Sequence, residues 1–256
     1  MGLLNSNNTH EIHDKIFGEL KKEISILDPV AFAENNLTID GRPFRMSGNG
    51  WKFMADLYRE VAVQATSPNA KPCVILKGRQ VGATILAAVL SLYFTSSGLY
   101  GTGPDRPPMR ILHAFPTLGI MSKYAKDKLK PMVQGSQNNF IMRRSLKNDD
   151  KFGKSAGEDT LTEYTFVGFN KLRVESTGRD GNRIRGLTED GIFFDEVQDM
   201  TKEAIETALR ILTTAQYGPP TKGVQLYFGT PKNTGSYFFR LWEESDQRYY
   251  QLGCGG

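Results

Sequence analysis

Two periodicities divide the chain. Over residues 11–27 apolar side chains fall at Ile12, Ile16, Phe17, Leu20, Ile24 and Leu27, the spacing of a helix with one buried face. Asp28-Pro29 stops it, and residues 29–33 start another short turn. Residues 36–50 carry the turn-forming stretches N-L-T-I-D-G-R-P-F and S-G-N-G and predict loop. Helical spacing returns over 51–65, with Trp51, Met54, Leu57, Tyr58 and Val61 on one side, and Ser67-Pro68-Asn69 ends it.

Beyond residue 70 the pattern alternates. Short apolar runs at 72–76, 109–115, 191–195 and 224–228 predict buried strands. Between and after them, 84–94, 118–133, 201–212 and 236–244 predict helices. The helix at 84–94 is apolar on most faces and so belongs to the core. The helix at 118–133 exposes Lys123, Lys126, Lys128 and Lys130. Thr201 suits an N-cap, with Glu203 in the first turn. Residues 163–168 and 170–176 predict two strands around a tight turn, and the polar stretch 145–160 predicts a mobile loop. Strands alternating with helices at these spacings predict an α/β fold, a mostly parallel sheet with helices on both faces. A small N-terminal helical arm (1–40) precedes this domain (41–256).

The composition fits that picture and adds limits. With 256 residues and 39% hydrophobic content, the chain can fill one large core. A net charge of +4 and a pI near 8.9 are compatible with a nucleic-acid partner without requiring one. The two cysteines, Cys73 and Cys254, make no disulfide framework, and Cys73 reads as a small buried hydrophobe. No apolar run reaches the length of a membrane span, and the first ten residues are too polar for a signal peptide. The expectation is an intracellular chain without a membrane partner. His10, His13 and His113 are scattered, and no His/Cys set has metal-ligand spacing.

Four stretches carry chemistry. The first is K-G-R-Q-V-G-A-T, residues 77–84, between a strand and a helix. Small residues at a helix N-terminus let backbone N–H groups converge on phosphate oxygens, while a lysine serves the outer phosphates and a hydroxyl serves Mg²⁺. Gly82 and Thr84 fit those positions, but Ala83 stands where the lysine normally is. Lys77 can supply the charge if it folds back over the loop, and Arg79 adds a second cation. Alone, the octamer reads equally well as a solvated turn. The second stretch is G-I-F-F-D-E-V-Q-D-M, residues 191–200, which ends an apolar strand in two carboxylates. Such acids are costly beside a core without a cation or a water to serve. Asp195 suits Mg²⁺, in part through water, and Glu196 suits a general base. The third, S-T-G-R-D-G-N-R-I-R-G at 176–186, offers Arg179, Arg183 and Arg185 for charge on a transferring phosphoryl group, and position does not choose among them. The fourth, V-Q-L-Y-F-G-T-P-K-N-T-G at 224–235, ends a neighbouring strand in a hydroxyl at Thr230 that could sense the terminal phosphate. Together these predict a P-loop NTPase of the ASCE/RecA-like type that binds ATP and Mg²⁺.

From about Gly41 to its C-terminus the chain resembles the ATPase half of the tailed-phage terminase large subunit, most closely the lambda-like branch, in which the loop lysine also comes first. The resemblance assigns nucleotide binding to Lys77, Gly78, Arg79, Gln80, Val81, Gly82, Ala83 and Thr84. It assigns the acidic strand to I-F-F-D-E-V and an arginine finger to Arg185 within Ile184-Arg185-Gly186. It assigns a coupling role to Gly229-Thr230-Pro231. It implies an ATP-driven translocase of double-stranded DNA, working as a homo-oligomeric ring with a portal protein and a small terminase subunit at the prohead in the host cytoplasm. The adenine-contacting element of the wider family is not clear here, and Phe44, Arg45 and Trp51 are candidates. No acid cluster of the family's nuclease is recognisable, so nuclease activity is not expected. Cys254 resembles the first member of a cysteine pair in that branch. Two other readings share the loop and the acids: a helicase-like DNA-dependent ATPase, and a nucleotide-binding assembly module without turnover.

Overall fold

The computed structural model describes residues 27–46, 54–78, 82–101, 105–136, 162–218 and 222–248. Through them the chain runs α1 (Pro29–Asn36), β1 (Thr38–Ile39), β2 (Arg42–Pro43), α2 (Ala55–Val63), β3 (Cys73–Leu76), α3 (Ala83–Ser96), β4 (Arg110–Phe115), α4 (Leu118–Tyr124), α5 (Lys130–Ser136), β5 (Glu163–Thr165), β6 (Lys171–Ser176), β7 (Gly191–Asp195), α6 (Lys202–Leu209), β8 (Val224–Gly229) and α7 (Tyr237–Glu243). The helix expected at 11–27 and the loop at 145–160 lie outside the described residues, apart from Leu27.

Six strands form one sheet in the order β3-β8-β7-β4-β6-β5. The first five are parallel, and β5 pairs antiparallel with β6 at the edge. Period-two alternation sorts the side chains into two apolar layers. Ile111, Phe115, Phe193, Leu226 and Phe228 face α1 to α5, against Phe32, Tyr58, Leu90 and Leu129. Leu112, Ile192, Phe194 and Tyr227 face α6 and α7, against Ile205, Ala208 and Phe238. The sheet is therefore covered on both faces, as the strand–helix alternation predicts. The described part of the N-terminal arm packs into the first layer through Phe32, Ala33 and Leu37.

Local chemistry accounts for the element boundaries. The Asp28 side chain accepts from the amide of Val30 and starts α1 with Pro29 at its first position. Asp40-Gly41, both at positive φ, close the β1–β2 hairpin inside the stretch expected to be loop. Thr201 caps α6 by accepting from Ala204 N at 3.1 Å, as expected. The helix expected over 118–133 differs: a π turn at Ala125–Leu129 joins α4 to α5. A π turn carries an extra residue per turn and shifts the phase of the side chains. Here Ala125, Leu129, Met132 and Val133 are all buried, while Lys123, Lys126, Lys128 and Lys130 stay exposed.

Because β3, β8, β7 and β4 are parallel, their C-terminal ends share one edge. Lys77 follows β3, Gly229 closes β8, and Asp195 closes β7. Strand β8 lies between the other two, which places the 229–230 turn between the phosphate-loop strand and the acidic strand.

Candidate nucleotide site

The loop after β3 leads into α3 through Gly82, whose φ of 81° is left-handed and open to glycine at little cost. Helix α3 starts at once with Ala83, which is 2% exposed and packs in the first core layer. A lysine stem would have to fit that buried position. The other end of the loop carries Lys77, whose side chain is 9% exposed and whose ammonium lies 3.2 Å from Oε1 of Glu196.

Thr84, one residue into α3, donates its hydroxyl to Oδ2 of Asp195 at 2.9 Å. Asp195 is buried, and its Oδ1 has no hydrogen-bond partner among the described residues. Burial pushes the Asp195 carboxyl up to about 7, against the pull of the Thr84 hydroxyl and the Lys77 charge. Glu196 sits at φ 56°, an uncommon conformation for a residue with a side chain, of a kind that gathers at working sites. It turns the chain out of the strand, so the two acids part: Asp195 stays buried and Glu196 is half-buried. Thr84 and Asp195 together offer oxygen donors only, which suits Mg²⁺ with its remaining positions filled by water and phosphate. Among the described residues no group of three or more His, Cys, Asp or Glu side chains could hold a metal.

Two residues join this site that sequence reasoning passed over. His113, in the middle of β4, is fully buried, bonds through Nδ1 to the Tyr124 hydroxyl at 3.0 Å, and lies with Nε2 3.8 Å from Asp195 Oδ2. Burial lowers it to about 3, so it is neutral. Its one signal in the sequence is a polar residue inside the otherwise apolar run 111–115. Gln198 donates its amide to Oε2 of Glu196 and accepts at Oε1 from the amide of Thr230 at 3.0 Å. Only its position in D-E-V-Q, two residues past Glu196, hints at this.

The structure brings Lys77, Thr84, Asp195, Glu196 and Thr230 to one edge of the sheet. Thr230 takes part through its backbone N–H, and its hydroxyl bonds to none of the described residues. Lys77 N donates to Gly229 O at 2.9 Å, fastening the start of the loop to the end of β8. Gly78, Gly82 and Ala83 frame the loop, while Arg79, Gln80 and Val81 lie outside the described residues.

The arginine loop is docked by its small and apolar members. Ile184 is buried in the second layer, and a Cβ on Gly181 would meet Thr207 Cβ at 2.7 Å. All three arginines stay exposed. Arg183 lies 4.0 Å from Glu175, and Arg179 accepts from the Thr201 hydroxyl through its carbonyl. The Arg185 guanidinium forms no hydrogen bond or ion pair with the described residues and does not join the Lys77–Glu196 group. Among the adenine candidates, Phe44 is 3% exposed within the core, and the Arg45 guanidinium bonds to the carbonyls of Glu34 and Phe44. Phe44 is thus buried, while Arg45 stays exposed. Trp51 and Cys254 lie outside the described residues.

No protein-family profile matches the chain, and no curated protein matches its sequence. Solved structures do. The large terminase of bacteriophage HK97 superposes over 85% of this chain and 40% of its own, at 14% identity and a TM-score of 0.56. The large-terminase ATPase domain of Thermus phage P74-26 covers 71% of this chain and 68% of its own, at 19% identity and a TM-score of 0.44. The large terminase of a thermophilic bacteriophage, solved in complex with ATP-gamma-S, covers 66% and 33%, at 18% identity and a TM-score of 0.35. The chain thus spans about two-fifths of the HK97 protein's length. The chain shares its fold, a mostly parallel sheet with helices on both faces, with the part of the HK97 large terminase on which it superposes.

Proposed function

We propose that this chain is the ATPase motor domain of a viral DNA-packaging terminase, hydrolysing ATP to move double-stranded DNA into a prohead. The observation that carries the reading is the convergence of Lys77, Thr84, Asp195 and Glu196 at the carboxyl edge of the sheet, in the order a P-loop ATPase requires. The fold shared with the HK97 large terminase supports it.

In this reading the phosphates of ATP lie on the 77–84 loop at the N-terminus of α3, where the helix dipole favours an anion. Lys77 binds the outer phosphates. Thr84 and Asp195 would hold Mg²⁺, which when bound would offset phosphate charge. Glu196 takes a proton from the attacking water as that water's oxygen bonds to the terminal phosphorus, and the bond to the ADP oxygen breaks. The free and exposed Arg185 is suited to reach a neighbouring subunit of a homo-oligomeric ring, where it would stabilise the transferring phosphoryl group. Thr230 would pass the loss of the terminal phosphate to α7. The exposed lysines on α4, the π turn and α5, which pair with none of the described residues, would make a basic face for DNA phosphates, read without sequence preference. Assembly with a portal protein and a small terminase subunit, at the prohead in the host cytoplasm, belongs to the same proposal. Among the described residues no helix is long and apolar enough to cross a membrane.

Steady-state phosphate release with double-stranded DNA, at concentrations that allow assembly, tests this. DNA-stimulated release is expected. Nucleotide binding without release at any concentration would favour a non-hydrolysing assembly module, and strand separation would favour a helicase-like enzyme.

A further inference from the structure

The inference rests on the ATPase reading and concerns Gln198. Four hydrogen bonds at the carboxyl edge form a closed circuit. Lys77 Nζ bonds Glu196 Oε1 at 3.2 Å, and Glu196 Oε2 accepts from Gln198 Nε2. Gln198 Oε1 then accepts from Thr230 N at 3.0 Å, and the neighbouring Gly229 O accepts from Lys77 N at 2.9 Å. The chemistry fixes which way the Gln198 amide points. A backbone N–H can only donate, so Oε1 must face Thr230; a carboxylate can only accept, so Nε2 must face Glu196. Glutamine is the neutral side chain of this length with a donor and an acceptor at one tip. Space is also reserved for it: a Cβ on Gly229 would overlap Gln198 Oε1. A second strap runs parallel, from Lys232 Nζ to Asp199 Oδ1 at 2.6 Å.

We infer that Gln198 is the positioning residue that ties the general-base carboxylate of Glu196 to the β8–α7 turn, so that the state of the base is transmitted to Thr230 through one amide. In the nucleotide-free chain Glu196 is held from two sides. Once Lys77 turns to a phosphate, Gln198 is the remaining side-chain hydrogen bond on Glu196. Any movement of the carboxylate then pulls on the Thr230 amide. The coupling thus runs through the backbone at 229–230, with the Thr230 hydroxyl left free to meet a ligand.

The test compares wild type, Gln198→Met and Gly229→Ala in the full chain. Gln198→Met keeps the length and removes both polar ends. Gly229→Ala leaves Gln198 in the sequence but drives its amide out of place. ATP-γ-S affinity is read by titration, phosphate release by kcat and KM, and amide exchange over 229–236 by mass spectrometry, with and without Mg-ATP-γ-S. Thermal melting confirms that each variant is folded. Both variants are expected to bind ATP-γ-S within about threefold of wild type, to lose kcat by roughly 10- to 100-fold at little change in KM, and to show no nucleotide-dependent change in exchange at 229–236, where wild type does. An unfolded variant is set aside, and the other then decides. Wild-type kcat and a wild-type exchange response in a folded variant would overturn the assignment of Gln198 alone. A wild-type chain that neither binds nor hydrolyses ATP would overturn the ATPase reading, and this inference with it.

Discussion

Lys77 and Glu196 meet at 3.2 Å although their strands, β3 and β7, are not neighbours. In the proposed reading the cation meant for phosphate is thus already paired with the carboxylate meant to activate water. A bound terminal phosphate and Glu196 would then compete for one ammonium. Binding of ATP would free Oε1 of Glu196 at the moment a base is required, and loss of phosphate would restore the pair.

Lys77→Ala should weaken nucleotide binding by roughly 10- to 100-fold, the loss of one charge-assisted contact. Titration with ATP-γ-S measures this. Unchanged affinity would mean that the phosphates lie elsewhere and that the buried Ala83 belongs to a different loop geometry.

Glu196→Gln should bind ATP as wild type does and slow turnover by about 10²- to 10⁴-fold. The neutral amide also lifts the competition for Lys77, so affinity should hold or rise slightly. Single-turnover phosphate release separates the two effects, and normal hydrolysis would remove Glu196 from the role of base.

Arg185→Ala should abolish hydrolysis in assembled rings, on the order of 10³-fold or more, while sparing ATP binding. If the arginine acts across a subunit boundary, mixing Arg185→Ala with Glu196→Gln should restore part of the activity, since some interfaces then carry both groups. Greater sensitivity at Arg179 or Arg183 would shift the finger to that residue.

The nucleotide-free chain should lose stability as pH rises from about 4.5 to 7. Burial pushes Glu189 up to about 7, against the pull of the nearby Arg173, and pushes Asp195 up to about 7 as well. In that window the folded chain keeps protons that the unfolded chain has released, so raising pH favours unfolding, and above about 7 the effect levels off. Each group contributes a slope of roughly 1 kcal/mol per pH unit. Urea midpoints measured in chelator at pH 5 and pH 8 check it. Glu189→Gln should shrink the difference, and a difference equal to wild type would show that Glu189 ionises normally when folded.

Much of this fold could be read from local pattern. Strand β7 matches its predicted span at both ends, because an apolar run closed by two acids has few alternatives, and the Thr201 cap depends on neighbours three residues away. The π turn at Ala125–Leu129 was not legible, since the apolar spacing over 118–133 fits one continuous helix. The β1–β2 hairpin was hidden because two-residue strands carry no periodicity, although Asp40-Gly41 was a usable sign. In the site, Lys77, Thr84, Asp195 and Glu196 are singled out by the sequence, and the fold brings the four side chains together at one edge of the sheet. Gln198 and His113 were not. Their roles arise from contacts between β7, β8 and β4 that only the packed sheet creates.

The most direct measurement is a structure of the chain with Mg-ATP-γ-S. Lys77 Nζ is expected on the outer phosphate oxygens and more than hydrogen-bond distance from Glu196, with Thr84 and Asp195 on the metal side of the same phosphates. Nucleotide bound away from the 77–84 loop, or phosphates on that loop while Lys77 remains paired with Glu196, would contradict it.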